Sequence, residues 1–95
     1  MTVYVDELID YGDFAREVGL RTTRWGHLTA DTREEMHAFA ACIRLRRACF
    51  QDHGNYRWHY DVTPGKRAAA LRHGAQSIDR AGLAALIAKR YAAHT

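Results

Sequence analysis

Residues 2–6 read Thr-Val-Tyr-Val-Asp, a run of β-branched and aromatic side chains that ends on a carboxylate. A run that is apolar on both faces is typical of a buried strand in a parallel sheet. Two later segments, Trp25–Asp31 and His59–Asp61, carry polar residues directly before predicted helices. If the strands are parallel, all three segments lie at the edge of the sheet where open α/β folds bind ligands. The stretch therefore predicts both the fold and the place to look for a site.

Capping residues and apolar runs predict helices and strands that alternate along the chain. Capping residues predict helices that begin at Thr32, Thr63 and Asp79 and cover about 32–44, 64–73 and 80–93. Further strands are predicted at 47–51 and 75–78, whereas 58–62 fits either a strand or an extended lead-in to the next helix. The segment 7–30 is expected to be a long loop with a short helix at 13–18. We expect an α/β fold: a small, three- to four-stranded, mostly parallel sheet flanked by three to four helices.

Composition limits the class of protein. With 95 residues, the chain has room for one core, so residues 1–95 are expected to form a single domain. The N-terminus lacks a basic region with a cleavage site, and no apolar run is long enough for a membrane helix. We therefore expect a cytoplasmic protein without a membrane partner. The net charge of +3 mildly favours an anionic ligand.

The strongest candidate for chemistry is the pair His59 and Asp61. In an extended chain, residues two apart point to the same face, so an imidazole and a carboxylate lie side by side. Asp6, at the end of the first strand, is the expected third partner in a metal site. Histidine and carboxylate donors suit a divalent metal such as Mg²⁺, Mn²⁺ or Zn²⁺. The predicted metal ligands are Asp6, His59 and Asp61.

Other residues of these segments are candidates for catalysis and substrate binding. His27 is a candidate catalytic residue together with His59 and Asp61, either as a further ligand or as a general acid. Trp25, Arg67 and Arg72 are the predicted substrate-binding residues, with Arg67 facing a phosphate. Each candidate also has an ordinary explanation: a loop cap, a surface histidine, a hydrogen-bonded pair or a solvated cation.

Several strings of the sequence resemble a known family when they are taken together. They are MTVYVDE at the N-terminus, WGHLTADTREEMHAFA from Trp25, HYDVTP from His59, and the GA that follows. They resemble a family of small bacterial and phage proteins, frequent in actinobacteria and their phages, known only as a domain of unknown function. The resemblance spans about residues 1–79 and departs at Cys49 and Met36, where the family pattern has tryptophan and leucine. It implies an actinobacterial or phage origin, and it does not assign a catalytic role to any residue.

Two classes of function remain open from the sequence, and it does not decide whether the protein is an enzyme. The first is metal-assisted hydrolysis of a phosphate-containing substrate, a nucleotide or nucleic acid. The alternative is a non-catalytic module, possibly phage-encoded, that binds a nucleotide, a nucleic acid or a host protein. A third interpretation is a homodimer formed through the alanine-rich last helix.

Overall fold

Strands and helices alternate along the chain in a computed structural model that describes residues 2–19 and 22–93. A short 3₁₀ turn at Arg47–Cys49 precedes the fourth strand. The bounds are β1 Val3–Val5, β2 Ile9–Asp10, α1 Gly12–Glu17, β3 Arg24–Ala30, α2 Arg33–Cys42, β4 Phe50–Gln51, β5 His59–Val62, α3 Pro64–Arg72, β6 Gln76–Ser77 and α4 Arg80–Ala93.

The strands form one mixed sheet of six strands in the order β4-β5-β3-β1-β6, with β2 paired to the first part of β3. Within the described residues, β1 and β6 are the parallel pair, and the other four pairings are antiparallel. The expectation of a mostly parallel sheet with three to four strands is therefore wrong. The chain reverses direction between the end of β1 and the start of β3, so the two strands pair in opposite directions.

The central strand β3 occupies a segment whose sequence predicts a loop. Its residues alternate between a core face and an open face, because successive side chains of a strand point to opposite sides. Leu28 and Ala30 are fully buried, whereas His27 is partly exposed. Gly26 and the polar residues between the apolar ones interrupt the apolar run, which is why the segment resembles a loop in sequence.

The core lies between one face of this sheet and the helices α2 and α3. Its largest fully buried side chains include Val5, Leu28, Met36, Tyr60 and Val62. These residues come from β1, β3, α2 and β5, so the core joins the sheet to the helices in a single cluster. Burial of apolar surface in this cluster is the main source of stability.

The predicted helix starts are confirmed by their caps. The Thr32 hydroxyl accepts a hydrogen bond from the Glu35 amide (3.2 Å), and the Thr63 hydroxyl accepts one from the Lys66 amide (3.2 Å). At the last helix, the Asp79 carboxylate accepts one from a backbone amide of the first turn. Each cap satisfies an amide that has no partner within its own helix. No helix in the described part of the chain is long and apolar enough to cross a membrane.

The second face of the sheet is covered at one end by α4. Arg90 of this helix is buried and donates hydrogen bonds to the Thr29 hydroxyl (2.6 Å) and to the carbonyls of Ala30 (2.7 Å) and Tyr56 (2.8 Å). Its guanidinium also lies 3.5 Å from the centre of the Trp58 ring. At the other end, the same face forms the wall of an open cavity, and the polar residues of β3 and β5 lie there.

Candidate metal centre

The pairing of β3 with β5 brings three polar side chains together. His27 pairs directly with Asp61, and His59 lies two residues earlier on the same strand. Because side chains alternate along a strand, all three belong to the face opposite the core. The expectation that His59 and Asp61 share a face is confirmed. The expectation of a shared edge of parallel strands is wrong, because antiparallel register creates the cluster.

The spacing of these three side chains suits a shared metal ion. One ligand atom from each of His27, His59 and Asp61 lies within 4.8 Å of the other two. The two imidazole rings meet edge to face at 4.6 Å, and His59 Nε2 lies 3.2 Å from Asp61 Oδ1. Two atoms that each bind an ion at about 2.0–2.2 Å with cis or tetrahedral angles are about 3.0–3.5 Å apart. His59 and Asp61 thus already have the separation that a common ion requires.

The other nitrogen of His59 determines where its proton lies. Nδ1 is 2.7 Å from the carbonyl oxygen of Arg57, which can accept a hydrogen bond but cannot donate one. Nδ1 therefore carries the hydrogen, and Nε2 of the neutral ring presents a lone pair to the Asp61 carboxylate. Two acceptors 3.2 Å apart repel each other unless a cation lies between them or the ring is protonated. The contact indicates a position prepared for positive charge.

Asp6 hydrogen-bonds to the second imidazole, His27, and is not one of the three grouped side chains. Its Oδ1 accepts a hydrogen bond from the His27 amide (2.6 Å), and its Oδ2 lies 2.7 Å from His27 Nδ1. This hydrogen bond raises the pKa of His27 above its ordinary value of 6.5, although burial acts in the opposite direction. With Nδ1 held by the carboxylate, Nε2 is the nitrogen available to an ion, as in the carboxylate–histidine–metal arrangement.

Asp6 therefore occupies a different place from the one the sequence predicts. Its place at the end of β1 predicts a ligand that acts with His59 and Asp61, whereas the structure groups His27 with those two residues. Asp6 is 6% exposed and is bonded to Nδ1 of His27. The structure thus gives His27 the position expected of a ligand and Asp6 the position of its supporting carboxylate.

Two neighbours hold Asp6 in place. At Gly26, an added Cβ would lie 3.2 Å from Asp6 Oδ1, so the absence of a side chain leaves room for the carboxylate. Arg67 donates from Nε to the Asp6 carbonyl (2.7 Å) and from Nη2 to the Ser77 hydroxyl (3.1 Å). Arg67 thus supports the end of β1 and is absent from the described residues that line the cavity. Arg72, exposed at the end of α3, is likewise absent from that lining.

The cluster lines a cavity of about 520 Å³ on the open face of the sheet. Trp25, a predicted substrate-binding residue, lines it, and its indole nitrogen donates to the Thr22 carbonyl (3.2 Å). Among the described residues, sequence reasoning missed three that line the cavity: Tyr11, His53 and Arg57. Strand alternation extended two residues back from His59 would have identified Arg57, but no local signal marks the other two.

Most of the chain matches a known protein family. A family model described as "Protein of unknown function (DUF4031)" matches residues 3–90. The chain belongs to this family. The DUF4031 match includes every described residue of the cluster and of the cavity wall. No curated protein and no solved structure matches the chain.

Proposed function

We propose that this protein binds one divalent transition-metal ion through His27, His59 and Asp61 and uses it to hydrolyse a phosphate-containing substrate. One observation carries the proposal. His59 Nε2 and Asp61 Oδ1 lie 3.2 Å apart and face each other as two acceptors unless the ring is protonated, and a second imidazole lies beside them with its Nδ1 already engaged. Such an arrangement is stable when a cation takes the space between the acceptors.

The donor set narrows the choice of metal. Mg²⁺ prefers oxygen ligands, whereas two imidazoles and one carboxylate suit Zn²⁺, Mn²⁺ or Fe²⁺. Three protein ligands leave at least one coordination position open, which is typical of catalytic sites and not of structural ones. A cavity over the cluster gives a water and a substrate access to that position.

The reaction that this arrangement supports is hydrolysis of a phosphoester. A bound ion would lower the pKa of a water to about 7 and offset charge on a phosphate oxygen. The oxygen of the water forms a bond to phosphorus, and the bond from phosphorus to the leaving alcohol oxygen breaks with its electron pair. The alcohol takes up the proton that the water loses. Arg57, on the cavity wall, offers a guanidinium that can pair with two phosphate oxygens at once.

Metal binding and turnover test the proposal together. The protein is stripped of metal, titrated with Zn²⁺ and Mn²⁺ by calorimetry, and assayed with bis(4-nitrophenyl) phosphate and 4-nitrophenyl phosphate. We expect one ion per chain and metal-dependent release of nitrophenol. Asp61→Asn is expected to lower both affinity and turnover at least about tenfold, since metal sites depend strongly on each ligand. Asp79→Asn, at a helix cap away from the cavity, is the matched control.

The outcomes separate the two classes of function. One bound ion without hydrolysis of any phosphoester contradicts the enzymatic part and favours a non-catalytic binding module. Absence of stoichiometric metal binding, or binding that Asp61→Asn leaves unchanged, contradicts the proposal as a whole.

A further inference from the structure

We propose that the phosphate-containing substrate is a nucleoside phosphate. Its base stacks on Trp25 and Tyr11, and its phosphate lies between the proposed metal ion and Arg57. This inference rests on the proposed function and names its substrate class. It is carried by the wall of the cavity, which combines two aromatic side chains with a cation and the cluster of metal ligands.

The aromatic part of the wall is held in position yet accessible. Trp25 lies on β3, and the hydrogen bond from its indole nitrogen to the Thr22 carbonyl fixes the plane of the ring. Tyr11 is 41% exposed, although it is a large aromatic residue, and its amide donates to the Thr23 carbonyl at 2.6 Å. Exposed aromatic surface beside a polar cluster is typical of a site that binds a flat ring.

Arg57, the cationic residue of the cavity wall, belongs to the turn between β4 and β5. Asp52 accepts a hydrogen bond from the Gly54 amide (3.1 Å) and pairs with Arg33 (3.1 Å). Asn55 and Tyr56 adopt positive φ angles of 55° and 60°, a conformation that non-glycine residues seldom adopt outside functional or tightly held turns.

The end of α4 holds this turn from the other side. Arg90 donates to the Tyr56 carbonyl (2.8 Å), and the Tyr91 hydroxyl donates to the Asn55 side chain (2.8 Å). The turn therefore presents Arg57 to the cavity from a fixed backbone, because the Arg57 carbonyl is itself bonded to His59. A cation thus lies two residues from a metal ligand, where a phosphate bound at the ion would meet it.

A nucleoside phosphate matches these parts better than a simple phosphate. It joins a flat ring to an anion through one sugar, as the wall joins an aromatic surface to a cationic one. The cavity of about 520 Å³ falls within the usual range of roughly 300–1,000 Å³ for small-molecule sites. A base that stacks on protein side chains must be out of a duplex. The ligand is therefore a free nucleotide or an unpaired nucleotide at the end of a strand.

Calorimetry with the Zn²⁺-loaded protein tests this inference with four probes: AMP, adenosine, glycerol 3-phosphate and a 5′-phosphorylated single-stranded oligonucleotide. We expect AMP to bind at least about tenfold more tightly than glycerol 3-phosphate or adenosine, because stacking and phosphate contacts add. An oligonucleotide that binds more tightly than AMP identifies a strand end as the source, and one that binds more weakly than AMP identifies the free nucleotide.

Variants assign the stacking to its residues. Trp25→Leu and Tyr11→Leu are each expected to weaken AMP binding about tenfold and to leave glycerol 3-phosphate unaffected, whereas Trp25→Phe retains most of the affinity. Arg57→Gln is expected to weaken the binding of both AMP and glycerol 3-phosphate. Tyr11 is exposed, so its variant remains informative if the tryptophan variant fails to fold.

The result that overturns the inference is specific to it. If the protein binds Zn²⁺ and hydrolyses the nitrophenyl esters, yet AMP binds no more tightly than glycerol 3-phosphate, the substrate class is wrong and the metal site stands. The same conclusion follows if both leucine variants bind AMP like the wild type. Failure to bind Zn²⁺ is instead a failure of the proposed function.

Discussion

Replacing Asp6 with asparagine tests how the site is built. The carboxylate accepts two hydrogen bonds from one residue, at 2.6 Å from the backbone amide of His27 and at 2.7 Å from its ring Nδ1. Asparagine has one side-chain oxygen. The backbone amide can donate but not accept, so the oxygen stays with it and the new NH₂ group faces Nδ1.

This exchange reverses the tautomer of His27. Nδ1 must now accept a hydrogen bond, which moves the ring proton to Nε2, the atom assigned to the metal. Loss of such a supporting carboxylate typically lowers metal affinity by about 10- to 100-fold, equivalent to about 1.4–2.7 kcal/mol. We expect Asp6→Asn to fall within that range for Zn²⁺.

The assay is a competition titration against a fluorescent zinc indicator, with ¹⁵N NMR of the histidine rings to read the tautomer directly. The matched control is Asp31→Asn, because this carboxylate also accepts a backbone amide, that of Thr2 (3.0 Å), and a side-chain donor, the Tyr4 hydroxyl (2.8 Å). It lies outside the cluster, so zinc affinity is expected to be unchanged. A folded Asp6→Asn protein with wild-type affinity refutes the reasoning.

Three further predictions concern Gly26, His37 and Arg90. Gly26→Ala adds a methyl group 3.2 Å from the carboxylate of Asp6 and is expected to weaken zinc binding in the same titration. The control is Gly65→Ala, whose added methyl group meets open space at a helical position. It is expected to leave zinc binding unchanged and to stabilise the fold by about 0.4–1 kcal/mol. Equal effects of the two substitutions on zinc affinity would contradict this prediction. Burial lowers the pKa of His37, and two nearby arginines add to the effect. The unfolded chain therefore binds more protons there, and stability from this group is complete above about pH 6.5 and declines as the pH falls below it. His37→Gln should reduce this pH dependence when the metal-free protein is unfolded in urea. If the unfolding free energy changes with pH as steeply as in the wild type, the dependence does not come from His37. Arg90→Ala removes the donor of two buried acceptors and one partly buried acceptor and should cost at least about 2 kcal/mol in urea unfolding; a loss below about 1 kcal/mol would contradict the assigned contacts.

Local signals predict the parts of the fold that depend on neighbours in sequence. The starts of α2 and α3 follow from Thr32 and Thr63, whose hydroxyls cap amides three residues later. The strand β1 follows from its β-branched residues. The direction in which strands pair is not local, because it depends on how the chain reverses between β1 and β3, and the prediction of a mostly parallel sheet is therefore wrong.

The same distinction separates the predicted and missed parts of the site. His59 and Asp61 lie two apart on one strand, so alternation alone places them together. The position of His27 opposite Asp61 depends on the register between β3 and β5, which no short stretch of sequence encodes. Asp6 seemed a ligand because it ends β1. Its actual contact is with the imidazole of the neighbouring strand β3, and this contact depends on the pairing of β1 with β3.

The most direct measurement is anomalous diffraction at the zinc edge from crystals grown with Zn²⁺. We predict one strong peak per chain, about 2.0–2.2 Å from Nε2 of His27, Nε2 of His59 and a carboxylate oxygen of Asp61, with Asp6 still bonded to the back of its imidazole. A peak coordinated by other residues, or the absence of any peak at this cluster, would contradict the proposed metal centre.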